Sequence, residues 1–198
     1  MKFAFVFIAI LASAVAYGNR AKVLKEQAKN AGELAMELIT KQHLGDILKE
    51  LTIQNASYKE ASRNPELPPK EVSKRDRAWR AWQAGNTEQP KFAIEMEKSS
   101  CYRAIHNIVT EQVRIGEIFI TDRMGANLCA YPATSDYDQG DEEKWIAPFV
   151  KGKSPFYGKA EKDDSTGLLQ LQSSFVLKDQ GKAVGVVVIG AKVSLGKR

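Results

Sequence analysis

Hydrophobic positions along this chain follow a helical period first and a strand period later. From Arg20 to about Gln54, Leu24, Ala31, Leu34, Ala35 and Leu38 recur three, four and seven apart. Leu44, Ile47, Leu48 and Leu51 continue the stripe past Gly45, a candidate break. About thirty residues at 1.5 Å each reach roughly 45 Å, more than a small sheet can match. Two readings stay open: an amphipathic helix packed on its own domain, or one whose surplus length forms a dimer seam. Asn55 to Lys70 is a connector broken by Asn64-Pro65 and Leu67-Pro68-Pro69, where proline stops a helix. Helical spacing returns in Glu71–Ala84, with Val72, Arg75, Trp79 and Trp82 on one face. It returns again in Phe92–Glu111, with Ile94, Tyr102, Ile105, Ile108 and Val109 inward.

Beyond Gly116 the period shortens. Ile118-Phe119-Ile120 breaks at Asp122-Arg123-Met124-Gly125 and resumes as Asn127 to Tyr131, a hairpin whose glycine takes the positive φ of a tight reversal. Leu168 to Leu177 alternates in part, with Leu169, Leu171, Ser173 and Phe175 on one side, and Ala183 to Val193 is nearly all apolar, as a central strand requires. The pattern predicts five antiparallel strands near 115–121, 126–132, 155–161, 168–177 and 183–193. The long helix should cover one face of the sheet. The other, lined by loops from Tyr131 to Tyr157, should hold any ligand.

The stretch between Thr134 and Trp145 joins two aromatic rings to five acidic side chains. Part of that is local structure: Asp141 reads as a helix N-cap ahead of Glu142 and Glu143, and Asp136 as the acceptor of an Asx-turn. Aromatic walls with one carboxylate also suit a small polar or cationic ligand. Tyr131, Asp136, Tyr137 and Trp145 are therefore the candidate ligand contacts, with Arg103 and Asp164 as further candidates. On the second helix, Arg75 beside a tryptophan could hold an acidic ligand, while the alternative is a tryptophan core with a solvated arginine rim.

The order of strand, T-D-x-x-G turn, strand, then S-D-Y-x-Q-G-D-E-x-x-W resembles the Cache or PDC sensor domains, which are extracellular and PAS-like. Asp76-Arg77-Ala78-Trp79 looks like the D-x-x-W ahead of their first strand. Asp164-Ser165 followed by Phe175 to Val186 looks like their last hairpin. The resemblance spans roughly Leu44 to Val193. It implies an α+β fold, a PAS-like five-stranded antiparallel sheet with a long N-terminal helix packed on one face. It further implies a small-molecule ligand, signalling through a membrane receptor or kinase, and a homodimer through the N-terminal helix.

Composition agrees with one domain: of 198 residues, 43% are hydrophobic and 27% charged. A net charge of +5 is too mild to indicate nucleic acid. Lys2, the apolar run Phe3–Leu11 and the A-x-A site Ala14-Val15-Ala16 read as a secretory signal over 1–16. That leaves 17–198 as a single sensor domain: long helix 17–54, connector and helices 55–112, sheet 113–198. Cleavage would place the protein in the periplasm or outside the cell; an uncleaved anchor is the alternative. In that compartment Cys101 and Cys129 are either a disulfide or two small buried hydrophobes.

Catalytic sets are missing from the pattern. Cys101 and His106 are five apart and point apart on a helix, and His43 is the one other histidine. Neither a zinc ligand set nor a phosphate loop or nucleophile elbow occurs. The expectation is a non-enzymatic protein without cofactor or metal, binding a small metabolite. The competing expectation is a structural or interaction subunit, pilin-like or a helix-mediated dimer module. An A-x-A site in place of a short basic leader speaks against the pilin form.

Overall fold

The computed structural model describes residues 3–60, 63, 68–162 and 169–194, with side chains placed from Arg20 onward except at 161 and 162. Asp164, one of the candidate ligand residues, lies outside the described residues. Helices α1 (Phe3–Gln42) and α2 (Leu44–Ala56) come first, followed by α3 (Lys70–Gln83), α4 (Lys91–Glu97) and α5 (Ser100–Glu111). Strands β1 (Ile115–Asp122) and β2 (Asn127–Tyr131) precede a short α6 (Glu143–Trp145), which runs into a π-helical turn at Ile146–Val150. Strands β3 (Phe156–Lys162), β4 (Leu169–Asp179) and β5 (Lys182–Lys192) complete the chain. They form one antiparallel sheet in the order β2-β1-β5-β4-β3. This is the α+β, PAS-like arrangement that the resemblance implied.

Sidedness follows from the alternation of side chains along each strand. Ile118 and Ile120 of β1 and Val187 and Ile189 of β5 face the helices, where Ala35, Ile39, Ile47, Leu51, Ile105 and Ile108 close over them. Each of these isoleucines and leucines contributes about 1.5–3 kcal/mol by leaving water. Further along, Ala28 and Ala31 of α1 meet Leu171 and Ala191. Both β1 and the stretch Gly185–Ala191 of β5 are buried throughout, as central strands covered on two faces must be.

Three local details differ from the expected pattern. The stretch Phe92–Glu111 is two helices, α4 and α5, because Ser99 starts a new helix with its side-chain cap, and Ile94 is 38% exposed instead of inward. The break between the first two helices falls at His43, whose φ of −132° leaves the helical region, and Gly45 lies inside α2. Asp141 is exposed and caps nothing: α6 starts after Glu142, with no side-chain cap. The carboxylate that makes the short backbone turn there is Asp138, which accepts from Gly140 N at 3.0 Å.

Of the two readings of the cysteines, the disulfide holds. Cys101 and Cys129 are bonded with Cα atoms 5.9 Å apart, tying α5 to β2. Helix α5 is capped by Ser99, whose Oγ accepts from Tyr102 N, while Glu50 Oε1 accepts from the N–H groups of Ser100 and Cys101.

Candidate functional site

The stretch from Thr134 to Gly140 folds back along β2. Asn127 N donates to Tyr137 O, Gln139 N donates to Gly125 O, and Ala126 bridges Asp138. Gly125 has φ +78°, and a Cβ there would stand 2.3 Å from the Cα of Gly140, so turn and loop touch through glycine backbones. Asp76 Oδ1 accepts from the N–H groups of Tyr137 and Asp138, and Trp79 Nε1 donates to Thr134 O at 2.7 Å. Both outer residues of the D-x-x-W motif therefore anchor this loop. Arg63 clamps it from the connector, binding both oxygens of Asp138 and the carbonyl of Met124.

The five candidate ligand residues that are described do not converge on one cavity. Asp136 is buried in the loop itself, accepting from Gln139 Nε2 at 2.5 Å and Arg80 Nη2 at 3.0 Å. Burial, then Glu142, push its carboxyl above the usual range against the pull of Arg80. Tyr131 turns to the helix side, its ring 4.4 Å from that of His106. Arg103 is exposed on α5 and donates to Lys98 O and Ser100 Oγ. Tyr137 is buried among Trp79, Phe92 and Met124 and accepts from Arg75. Trp145 is 1% exposed, on the face of the sheet away from the helices, stacked on Phe149.

That second face is closed over half its width. Trp145, Ile146 and Phe149 cover Phe119, Ala130, Val186 and Val188. Toward β3 and β4 the cover ends, leaving a cavity of about 430 Å3 lined by Glu142, Lys144, Phe156, Gly158, Lys159 and Gln172, among others. Its chemistry is of mixed sign. The Lys144 ammonium lies 5.3 Å from the centre of the Phe119 ring and 3.0 Å from Glu142, with its side chain 17% exposed. Glu117, two residues from Phe119 on the same face, is 1% exposed and accepts from Gln172 Nε2 at 2.7 Å. Gly190 beside it leaves the room: a Cβ there would stand 2.5 Å from Glu117 Cγ. Ser174 Oγ, on the same face of β4, is buried with no hydrogen-bond partner among the described residues.

A cation, a buried carboxylate, an amide and aromatic edges around a cavity of this size suit a small molecule carrying both charges. Sequence reading reached the loop that supplies Lys144 and passed over Glu117 and Gln172. Their signal was the off-face of the last hairpin: with Leu171, Ser173 and Phe175 on one side, Gln170, Gln172 and Ser174 fall on the other. Among the described residues no group of three or more His, Cys, Asp or Glu could hold a metal ion.

No family model matches the chain, and no curated protein matches it. Among solved structures it is similar to the extracellular domain of rpHK1S-Z16, with 16% identity and a TM-score of 0.42 over 61% of this chain and 53% of that one. It is similar to an extracellular ligand binding receptor from Desulfohalobium retbaense DSM5692, with 12% identity and a TM-score of 0.35 over 74% and 24%. A third is the sensor domain of the V. cholerae histidine kinase DctB, with 9% identity and a TM-score of 0.36 over 86% and 57%. The chain spans about half the length of the first of these. Each of the three is named as an extracellular, receptor or sensor domain.

Proposed function

We propose that this chain is an exported sensor domain that captures a small metabolite non-covalently and passes the bound state to a membrane receptor or kinase. The observation that carries the reading is the cavity on the second face, lined by Lys144 and Gln172, with the buried Glu117 accepting from Gln172 on the same face of the sheet. Its 430 Å3 falls within the range of small-molecule pockets. The ammonium of Lys144 would take a carboxylate; Glu117 or Glu142 would take an amine. A zwitterion of amino-acid size satisfies both without leaving a buried charge unpaired. No bond is made or broken and no cofactor is needed. The resemblance to Cache domains supports the membrane partner, and the exposed Val23 and Leu34 of α1 support a homodimer along that helix.

The test is a thermal melt of the exported chain against amino acids, carboxylic acids, polyamines, purines and sugars. A ligand at about a hundred times its dissociation constant stabilises by roughly 2.7 kcal/mol, which is several degrees at this size. The expected result is a shift with amino acids that disappears in Lys144→Ala and in Gln172→Ala. A panel with no shift, or a shift that survives both substitutions, overturns the reading.

A further inference from the structure

A second cavity lies at the opposite edge of the sheet. It is a cleft of about 780 Å3 bordered by α2, α3, α4 and the edge strand β2. Its walls are largely apolar, from Ile53, Phe92, Met96 and Leu128. Two cations stand at it, Arg75 and Lys91. The Arg75 guanidinium lies over the rings of Phe92 and Tyr137, at 5.4 Å and 5.9 Å, and donates to Tyr137 Oη at 3.1 Å. Arg63 and Arg80 nearby each hold a carboxylate; Arg75 and Lys91 hold none among the described residues.

The acids of the cleft are occupied elsewhere. Glu50 caps the start of α5, and Glu95 pairs with Lys98 at 3.1 Å. Tyr137 is a neutral phenol, its pKa pushed up to about 12 by burial. It accepts from Arg75, and its own hydrogen has no acceptor among the described residues. Asn127 gives its amide hydrogens to Thr134 Oγ1 and Asp136 O, which leaves its buried Oδ1 without a donor among the described residues.

We propose that this cleft is a second binding site, for a small organic carboxylate with an apolar or aromatic body. The carboxylate bonds to Arg75 and the Tyr137 hydroxyl, with the charge of Lys91 at the rim. The body lies on Phe92, Met96 and Leu128, and a donor on the ligand reaches Asn127 Oδ1. This site stands independently of the second-face cavity, since the two share no residue.

Calorimetric titration of the full chain with phenylacetate tests it, with 2-phenylethanol as the neutral molecule of the same shape. Saturable binding of phenylacetate is expected, with 2-phenylethanol at least about tenfold weaker, the loss of one charge-assisted contact. Arg75→Gln should weaken phenylacetate by about tenfold or more, Lys91→Gln by less, and Lys144→Ala should leave it unchanged. The melting temperature of Arg75→Gln reports whether that variant is folded; if it is not, Arg75→Lys and the comparison of the two probes decide. No saturable binding, equal affinity for both probes, or full affinity in folded Arg75→Gln overturns the proposal. Loss in Lys144→Ala would likewise overturn it, by placing the ligand on the second face.

Discussion

At the scale of single residues, two buried charges hold the hairpin and its loop, and they differ in how they respond to change. Asp122 ends β1 and receives four hydrogen bonds, from Met124 N and Ala126 N on Oδ1 and from Gln54 Nε2 and Tyr58 Oη on Oδ2. Its burial is complete enough that the carboxyl is still pushed above the ordinary range despite those donors. A carboxyl raised in the folded state contributes stability in full below its unfolded pKa of about 3.9 and loses it as pH rises through the folded value. Asp122→Asn keeps an acceptor for the two turn N–H groups and carries no charge. Its stability deficit against the unmodified protein should therefore shrink between pH 4 and 7 in urea titrations, and that of Asp122→Ala should shrink in parallel while staying about 2–4 kcal/mol larger. A deficit of Asp122→Asn that widens with pH would contradict this. Arg63 is the opposite case, a cation with a 1% exposed side chain that matches Asp138 in two bonds and lies 5.9 Å from the Trp145 ring. Arg63→Ala strands Asp138 and should cost about 3–5 kcal/mol. Adding Asp138→Ala should recover part of that in a double-mutant cycle; strict additivity would show the pair to be uncoupled.

Among elements, the strands were legible and their anchoring was not. All five fall within two residues of their expected bounds, because period-two alternation and turn residues are local signals. The loop after β2 was visible as an aromatic and acidic cluster, yet its meaning depended on partners from 55 to 75 residues upstream: Trp79, Asp76 and Arg63. Such contacts carry no period, so the sequence did not show that Asp136 and Tyr137 also seat the loop, through Arg80 and Gln139 and through the Asp76 contact to Tyr137 N. Lys144 of the cavity came from that same loop, while Glu117 gains its partner Gln172 only once β4 is placed across β5 from it. The disulfide is the tie between the helical layer and the edge strand. It closes a loop with a sequence separation of 28, which chain entropy values at roughly 3.5 kcal/mol. Cys101→Ala with Cys129→Ala, and the unmodified protein under reductant, should both lose about that much in urea unfolding. Equal stability with and without reductant would mean that α5 is held by packing alone.

At the scale of the molecule, the sheet separates two cavities, one at each edge strand, and α1 lines neither. Counted from residue 17, after the expected signal, α1 has 26 residues to Gln42 and is about 39 Å long, against about 36 Å for the 11 residues of β4. Its contact with the sheet uses Ala28, Ala31, Ala35 and Ile39, all buried. The apolar stripe seen in sequence is thus divided: Ala31 and Ala35 turn inward, while Leu34 is 43% exposed. Val23, 51% exposed, lies eleven residues earlier, three turns along the same side of the helix. Two large apolar side chains on one outer side give a second α1 something to pack against, and neither contributes to the core. If the homodimer forms along this side, the mass measured by sedimentation should rise with concentration toward twice that of one chain. Val23→Glu with Leu34→Glu should then hold it at one chain, with no loss of melting temperature beyond that of dissociation. A mass that stays at one chain across the range, in the unmodified protein, would confine α1 to covering the sheet. Signal transfer would then have to pass through a surface other than the outer side of α1.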